Sequence, residues 1–222
     1  MRWDILSLFP DYFKGPFDVS MIKRAREKGL LEICLVDMRD FALGRYQQID
    51  DRPYGGGPGM VLMAEPVTRA IRSVKDETSH VVYLTPQGKP LTAQRCSELA
   101  QKEHLIVLCG HYEGIDERAL ELEVDEEISI GDYVLTSGCP AAIVLVDSVS
   151  RFVPGVIGNE EAARQDSFEN GIFDAPVFTR PPVFEGKEVP EVLMSGHHAE
   201  INAWREQIAQ EKTERVRPDL YR

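Results

Sequence analysis

The 222-residue sequence predicts an α/β fold, a parallel sheet with crossover helices, followed by a small helical C-terminal segment. Three features point there. Short apolar runs at 3–9, 30–38, 80–85 and 105–109 alternate with helix-like stretches at 19–28, 65–74 and 92–102. The chain is 43% hydrophobic and 28% charged, the balance of a globular protein and not of a disordered one. Periodicity fades after Arg151, where Gly, Pro, Phe and Asn dominate until a helical pattern resumes near Pro190.

Trp3–Phe9 reads as a strand stopped by Pro10. Val19, Met21, Ile22 and Ala25 mark a helix that Gly29 ends, because glycine tolerates the left-handed turn after a C-cap. Leu31, Ile33 and Leu35 alternate along the next strand. A long polar loop then runs from Arg39 to Gly59, and loops of that length inside a domain are usually functional or disordered. Glu65–Pro66 opens a helix to Val74, with proline where its missing N–H does no harm. His80–Thr85 is a strand turned by Pro86, Gln87 and Gly88. Thr92 is placed to cap a helix reaching Lys102, and Leu105–Cys109 is the following strand. Glu113–Glu127 holds eight carboxylates against Arg118 alone, and lacks the alternating spacing of a calcium loop, so it reads as a solvated acidic face. Ile128–Ile130 is a short strand and Cys139–Ser150 a helix. The stretch 152–187 reads as a linker. Ser195 is placed to start the last helix, on which Ile201, Trp204, Ile208 and Ala209 share a face.

Net charge is −12 and the pI near 4.9, which disfavours nonspecific phosphate binding. A local basic patch stays open, since residues 197–222 carry five basic and five acidic side chains. Cys34, Cys96, Cys109 and Cys139 form no C-x-x-C pair and read as buried, reduced thiols. No stretch approaches the roughly 18 apolar residues of a membrane span, and the N-terminus has no signal-like core, so a soluble cytoplasmic protein is expected.

Two loops, Gly110–Arg118 and Ile130–Gly138, each leave an apolar run and set glycines beside a Tyr and a carboxylate. Glycine is what a backbone needs to turn sharply or to approach a ligand, so these loops read as a small-molecule site. Gly55-Gly-Gly-Pro-Gly59 lacks the lysine of a phosphate-binding P-loop. It is either a surface turn or a backbone surface for a flat or anionic ligand. Adjacent His197 and His198 point to different helix faces and mark a helix start better than a ligand pair. Arg151 and Asp166, on either side of Pro154–Gly155 and the polar turn Gly158–Glu161, are by themselves ordinary surface charges.

Together these segments resemble the bacterial tRNA (guanine-N1)-methyltransferase family TrmD of the SPOUT superfamily, essentially end to end. The likeness rests on Asp50–Met60, Leu108–Arg118, Ser129–Leu135, Asp147–Gly155, Asp166-Ser-Phe168 and Ser195–Ile201, in that order. The resemblance implies methyl transfer from S-adenosylmethionine to N1 of the guanine 3′ to a tRNA anticodon, position 37. It also implies a parallel sheet with a deep trefoil knot over 1–155, a flexible linker over 156–187, and a small all-α tRNA-binding domain over 188–222. The knot comes only from the resemblance, because chains are almost never knotted. An obligate homodimer with a shared active site is implied as well.

By motif position the resemblance places the cofactor against Tyr83, Leu84 and Pro86, against Gly110, Tyr112 and Glu113, and against Ile130, Gly131, Asp132, Tyr133, Val134 and Leu135. It makes Asp166 the base, Arg151 the residue that orients guanine, and Glu113 the nearest carboxylate for an associated Mg2+. Arg52 and Gly59, with Arg205, Lys212, Arg215 and Arg217, are the expected tRNA contacts. Two stretches depart from the pattern. Thr136-Ser-Gly-Cys-Pro-Ala-Ala142 replaces a Gly-Gly-Glu-Leu-Pro segment, so no cofactor contacts are carried over to Ser137, Cys139 or Pro140. Val177 and Phe178 stand where the family has His-Tyr. A non-catalytic RNA-binding factor would not require Asp166 with Arg151, and a nucleotide hydrolase would require the absent P-loop lysine.

Overall fold

In the computed structural model, residues 1–158, 166–168 and 171–221 are described. They fall into two compact units, Met1–Gly158 and Asn159–Arg222. The first unit is built on five parallel strands: β1 (Arg2–Ser7), β2 (Glu32–Asp37), β5 (Ser79–Pro90), β6 (His104–Cys109) and β7 (Glu126–Ser129). Their order is β2-β1-β6-β5-β7. Strand β6 is buried at all six positions because it has a neighbour on each edge and helices on both faces.

The pleat divides the core. Trp3, Ile5, Val82, Leu84, Leu105, Val107 and Cys109 face helices α1 (Ser20–Glu27), α3 (Ala93–Leu99) and α5 (Cys139–Ser150). Leu6, Val81, Tyr83, Ile106 and Leu108 face α2 (Ala64–Val74) and α4 (Glu117–Glu123). The result is the expected α/β sandwich of helices on a parallel sheet. Helix α1 ends as expected, with Gly29 N–H on Arg26 O at 2.9 Å and Leu30 N–H on Ala25 O at 2.9 Å, the paired bonds of a Schellman turn. Thr92 Oγ1 caps α3 by accepting from Arg95 N at 3.2 Å.

Five readings change. The 39–59 loop is not structureless: Leu43 bridges Gln48, and β3 (Asp50–Asp51) pairs antiparallel with β4 (Val61–Leu62). Leu35 does not alternate inward; β2 is an edge strand and Leu35 is exposed. Residues 85–88 are not a turn ending β5 but an excursion within it, since Ile128 pairs with Leu84 before it and with Lys89 after it. The acidic run is not simply a solvated face. Asp116 caps α4 by accepting from Arg118 N, Ala119 and Leu120 are buried, and Glu123 is buried between Arg72 Nε at 2.6 Å and Lys75 Nζ at 3.1 Å. Glu126 is held by Arg95 and lies 3.3 Å from His80 Nε2. Finally, Ser195 closes the short helix α6 (Glu191–Met194), donating to Val192 O, and His197 is the N-cap of α7 (His198–Val216).

At the start of the central strands lies a buried polar network. His104 and Asp4 are 2% and 1% exposed. His104 Nε2 sits 2.6 Å from Asp4 Oδ2, its Nδ1 2.7 Å from Ser79 Oγ, and Arg2 Nε 2.9 Å from Asp4 Oδ2. This network joins the first residues of β1, β5 and β6.

The described part of the second unit holds α6, α7, a small hairpin of β8 (Val183–Phe184) and β9 (Lys187–Glu188), and a final turn of 3-10 helix at Pro218–Tyr221. Ile201 and Ala209 are buried, as their shared face requires, with Trp204 half-buried beside Phe178. Residues 159–161 of the expected polar turn lie outside the described residues. Among the described residues no helix is long and apolar enough to cross a membrane. All four cysteines are free, and three are buried.

Candidate active site

The excursion within β5 and the loops that follow β6 and β7 lie toward the C-terminal side of the sheet, where open parallel sheets place their ligands. They are residues 85–88, 110–116 and 130–138, and they surround one cavity of about 350 Å³. Its wall includes every residue that the resemblance assigned to the cofactor except Asp132. Thr85, Gln87 and His111 line it too, without having been assigned to the site from the sequence, as does Ser137, to which no contact was carried over. His111 sits inside a motif already quoted. Its ring stands edge-on to Phe9 at 5.1 Å and to Tyr112 at 4.6 Å, and its Nδ1 is buried with no hydrogen-bond partner among the described residues.

The backbones of two loops pass so closely that only glycine fits between them. Gly138 N–H donates to Gly110 O at 2.8 Å, and a Cβ on Gly138 would lie 2.9 Å from Cys109 Cα and from Gly110 N. Gly138→Ala is therefore expected to destabilise the fold by about 1–3 kcal/mol through overpacking and to weaken ligand binding in the cavity. Isothermal titration of S-adenosylmethionine alongside a thermal melt checks this; wild-type values for both would mean the loops have slack.

The Gly-rich segment joins the site through Gly59. Gly55, Gly56 and Gly57 stand in open space, so they serve the turn. A Cβ on Gly59 would lie 2.5 Å from Glu113 Oε1, and Glu113 N–H donates to Met60 O at 3.0 Å. The close approach foreseen for a ligand is thus made by Glu113 of the same chain. Leu62 N–H on Gly114 O and Asp116 N–H on Leu62 O continue the seam.

Three tyrosines give the cavity flat apolar walls. Burial pushes the Tyr83 phenol above its usual pKa, with Glu127 adding to the rise. Tyr112 holds a left-handed backbone at φ 57°, which a non-glycine residue adopts at a cost, and partial burial followed by Asp50 raises its phenol. Tyr133 folds back over Gly131, its hydroxyl donating to Ile130 O at 3.2 Å. Behind the wall the Cys109 thiol donates to Cys139, which raises the first and lowers the second; Ser7 Oγ lies 3.2 Å from Cys139 Sγ.

Arg151 is the exposed C-cap of α5, at the far end of the helix that Gly138 begins. Asp166 belongs to the second unit and is half-buried. Its neighbours are held within that unit: Ser167 Oγ donates to Asp174, Phe168 N–H donates to Ile172 O at 2.7 Å, and Phe168 packs edge-on to Phe173 at 5.6 Å. Arg52 and Gly59 are exposed on the first unit, and Arg205, Lys212 and Arg215 are exposed on α7. Arg217 is engaged by Asp219 at 2.7 Å. Among the described residues no group of three or more His, Cys, Asp or Glu could hold a metal ion; Glu113 is exposed, and Glu117 and Glu127 line the same cavity.

The whole chain, residues 1–222, matches the family model described as tRNA (Guanine-1)-methyltransferase TrmD. It is 64% identical over 217 residues to the tRNA (guanine-N(1)-)-methyltransferase of Protochlamydia amoebophila, covering 98% of each chain. It is 61% identical to the protein of that name from Chlamydia pneumoniae and 58% identical to that from Chlamydia trachomatis serovar D, in each case over 221 residues. The chain spans 61% and 62% of the length of these two chlamydial relatives. It belongs to the tRNA (guanine-1)-methyltransferase family TrmD and is an enzyme that methylates N1 of guanine in tRNA.

Proposed function

We propose that the cavity binds S-adenosylmethionine and that the methylated base is guanine 37, immediately 3′ to the anticodon, in the cytoplasm. The observation that carries this reading is the meeting of the β5 excursion and the loops after β6 and β7 in one cavity of small-molecule size. Leu84 and Pro86, Gly110 to Glu113, and Ile130 to Leu135 would hold the cofactor, the tyrosine faces and loop backbone reading its adenine. When bound, S-adenosylmethionine supplies an electrophilic methyl group on sulfur.

The chain's own task is the proton. Guanine N1 carries one and is a poor nucleophile while it does. Asp166 accepts it as the N–CH3 bond forms. Arg151 places two fixed donors on O6, where negative charge gathers as the proton leaves. No step is assigned to Mg2+, because no group of three or more His, Cys, Asp or Glu among the described residues could hold it.

The tight pass of Gly138 beneath residues 109–110 supports a knotted path through this region. In the proposed division, 1–155 is the knotted domain, 156–187 the linker and 188–222 the tRNA-binding domain, with Arg52, Gly59, Arg205, Lys212 and Arg215 against the RNA. Two subunits share each site, one giving the cavity and the other Asp166.

Mixing tests the sharing. Asp166→Asn and a cavity variant such as Tyr112→Ala, each strongly impaired alone, are co-refolded and assayed for methyl incorporation into unmodified tRNA. Random pairing makes half the dimers mixed, each with one intact composite site, so roughly a quarter of wild-type activity is expected. Sites built within one subunit would give none.

A further inference from the structure

Asp166 lies in a stretch that sequence alone treats as a loose connection, yet the structure fastens that stretch to helix α7. Thr213, about one turn before the C-cap Arg217 of α7 and 0% exposed, makes the fastening. Its Oγ1 donates to Ala209 O at 2.7 Å and accepts from Phe173 N–H at 2.9 Å. A threonine hydroxyl in a helix commonly donates to the carbonyl four residues back, and this orients its lone pairs outward. Here that lone pair meets the backbone of the Asp166 segment. The neighbouring Lys212 ammonium sits over the Phe173 ring at 5.8 Å, and Phe173 in turn packs against Phe168, two residues from Asp166.

We infer that Thr213 is a positioning residue for methyl transfer, tying the Asp166-bearing segment to α7 so that the base moves as part of that helix. This rests on Asp166 being the base. Arg205, Lys212 and Arg215 lie on the same helix, so seating α7 on tRNA also carries Asp166 toward the guanine. A displacement of about 1 Å in a reacting group can cost 10²-fold in rate, so the second-unit hydroxyl sets kcat without touching substrate.

Thr213→Val keeps the shape and removes the hydroxyl. It is expected to lower kcat about 10- to 100-fold, leaving KM for S-adenosylmethionine unchanged, while Thr213→Ser, which keeps the hydroxyl, stays near wild type. The decisive readout is the double variant with Asp166→Asn. If Thr213 acts through Asp166, Thr213→Val adds nothing further to the loss already caused by Asp166→Asn. Equal multiplicative losses in the two backgrounds would overturn the inference and leave a merely structural role. Should Thr213→Val fail to fold, hydrogen exchange on the wild-type enzyme decides: a protected Phe173 amide supports the tie, and free exchange overturns it. Wild-type turnover by Asp166→Asn would remove the base assignment itself. Full activity of Thr213→Val beside an inactive Asp166→Asn would remove the inference alone.

Discussion

Asp166→Asn is expected to cut methyl transfer to unmodified tRNA by about 10²- to 10⁴-fold with S-adenosylmethionine affinity unchanged. Asparagine keeps the size of the side chain and loses its charge and with it the capacity to take a proton. The bonds that order the surrounding segment belong to Ser167, Phe168 and Phe173 and survive the change. The lesion falls on the one step that the methyl donor cannot perform for itself. Residual activity should remain, because water can accept the N1 proton less well. Single-turnover rates at saturating cofactor, with calorimetric binding on the same samples, separate the two effects. Wild-type turnover would show that the proton leaves by another route.

His104→Ala is expected to destabilise the first unit by about 3–5 kcal/mol, because a buried ring is deleted and a buried carboxylate loses a hydrogen-bond partner. Asp4, 1% exposed in the wild type, would keep Arg2 Nε at 2.9 Å and lose the imidazole, as would Ser79 Oγ. A void would open at the start of three adjoining strands. Urea unfolding followed by Trp3, one residue before Asp4 and fully buried, reports on this directly. His104 begins β6 and the cavity lies past its other end, so cofactor affinity measured below the unfolding transition should be retained. A loss below about 1 kcal/mol would mean that water or Arg2 replaces the imidazole.

The parts legible in the sequence are those whose signal is local. Apolar runs bounded by glycine gave β6 and α5, and Thr92 and Gly29 gave helix ends. The loops after β6 and β7 were legible because their glycines stand at strand ends, and the assigned residues, Asp132 apart, do line one cavity. Helix α4 escaped because its carboxylates read as solvated, and what makes Glu123 tolerable inside is Arg72 and Lys75, 51 and 48 residues away. The doubled pairing of Ile128 escaped for the same reason, since it is a property of two strands and not of one. Ser195 misled because it bonds both ways, donating to Val192 O and accepting from His197 N–H, so the residue looks like a start and serves as a stop. Asp166 carries no local signal at all; its segment acquires order through Thr213, 47 positions further along.

The excursion 85–88 has its two ends pinned by one residue, Ile128, on the neighbouring strand. Fixing a free backbone residue costs roughly 1–2 kcal/mol of conformational entropy. Here that loss was met when the sheet formed. A ligand resting on Leu84 and Pro86 meets a rim that has no folding left to do, so it can keep its affinity for contacts, and its arrival need not wait for the wall to take shape.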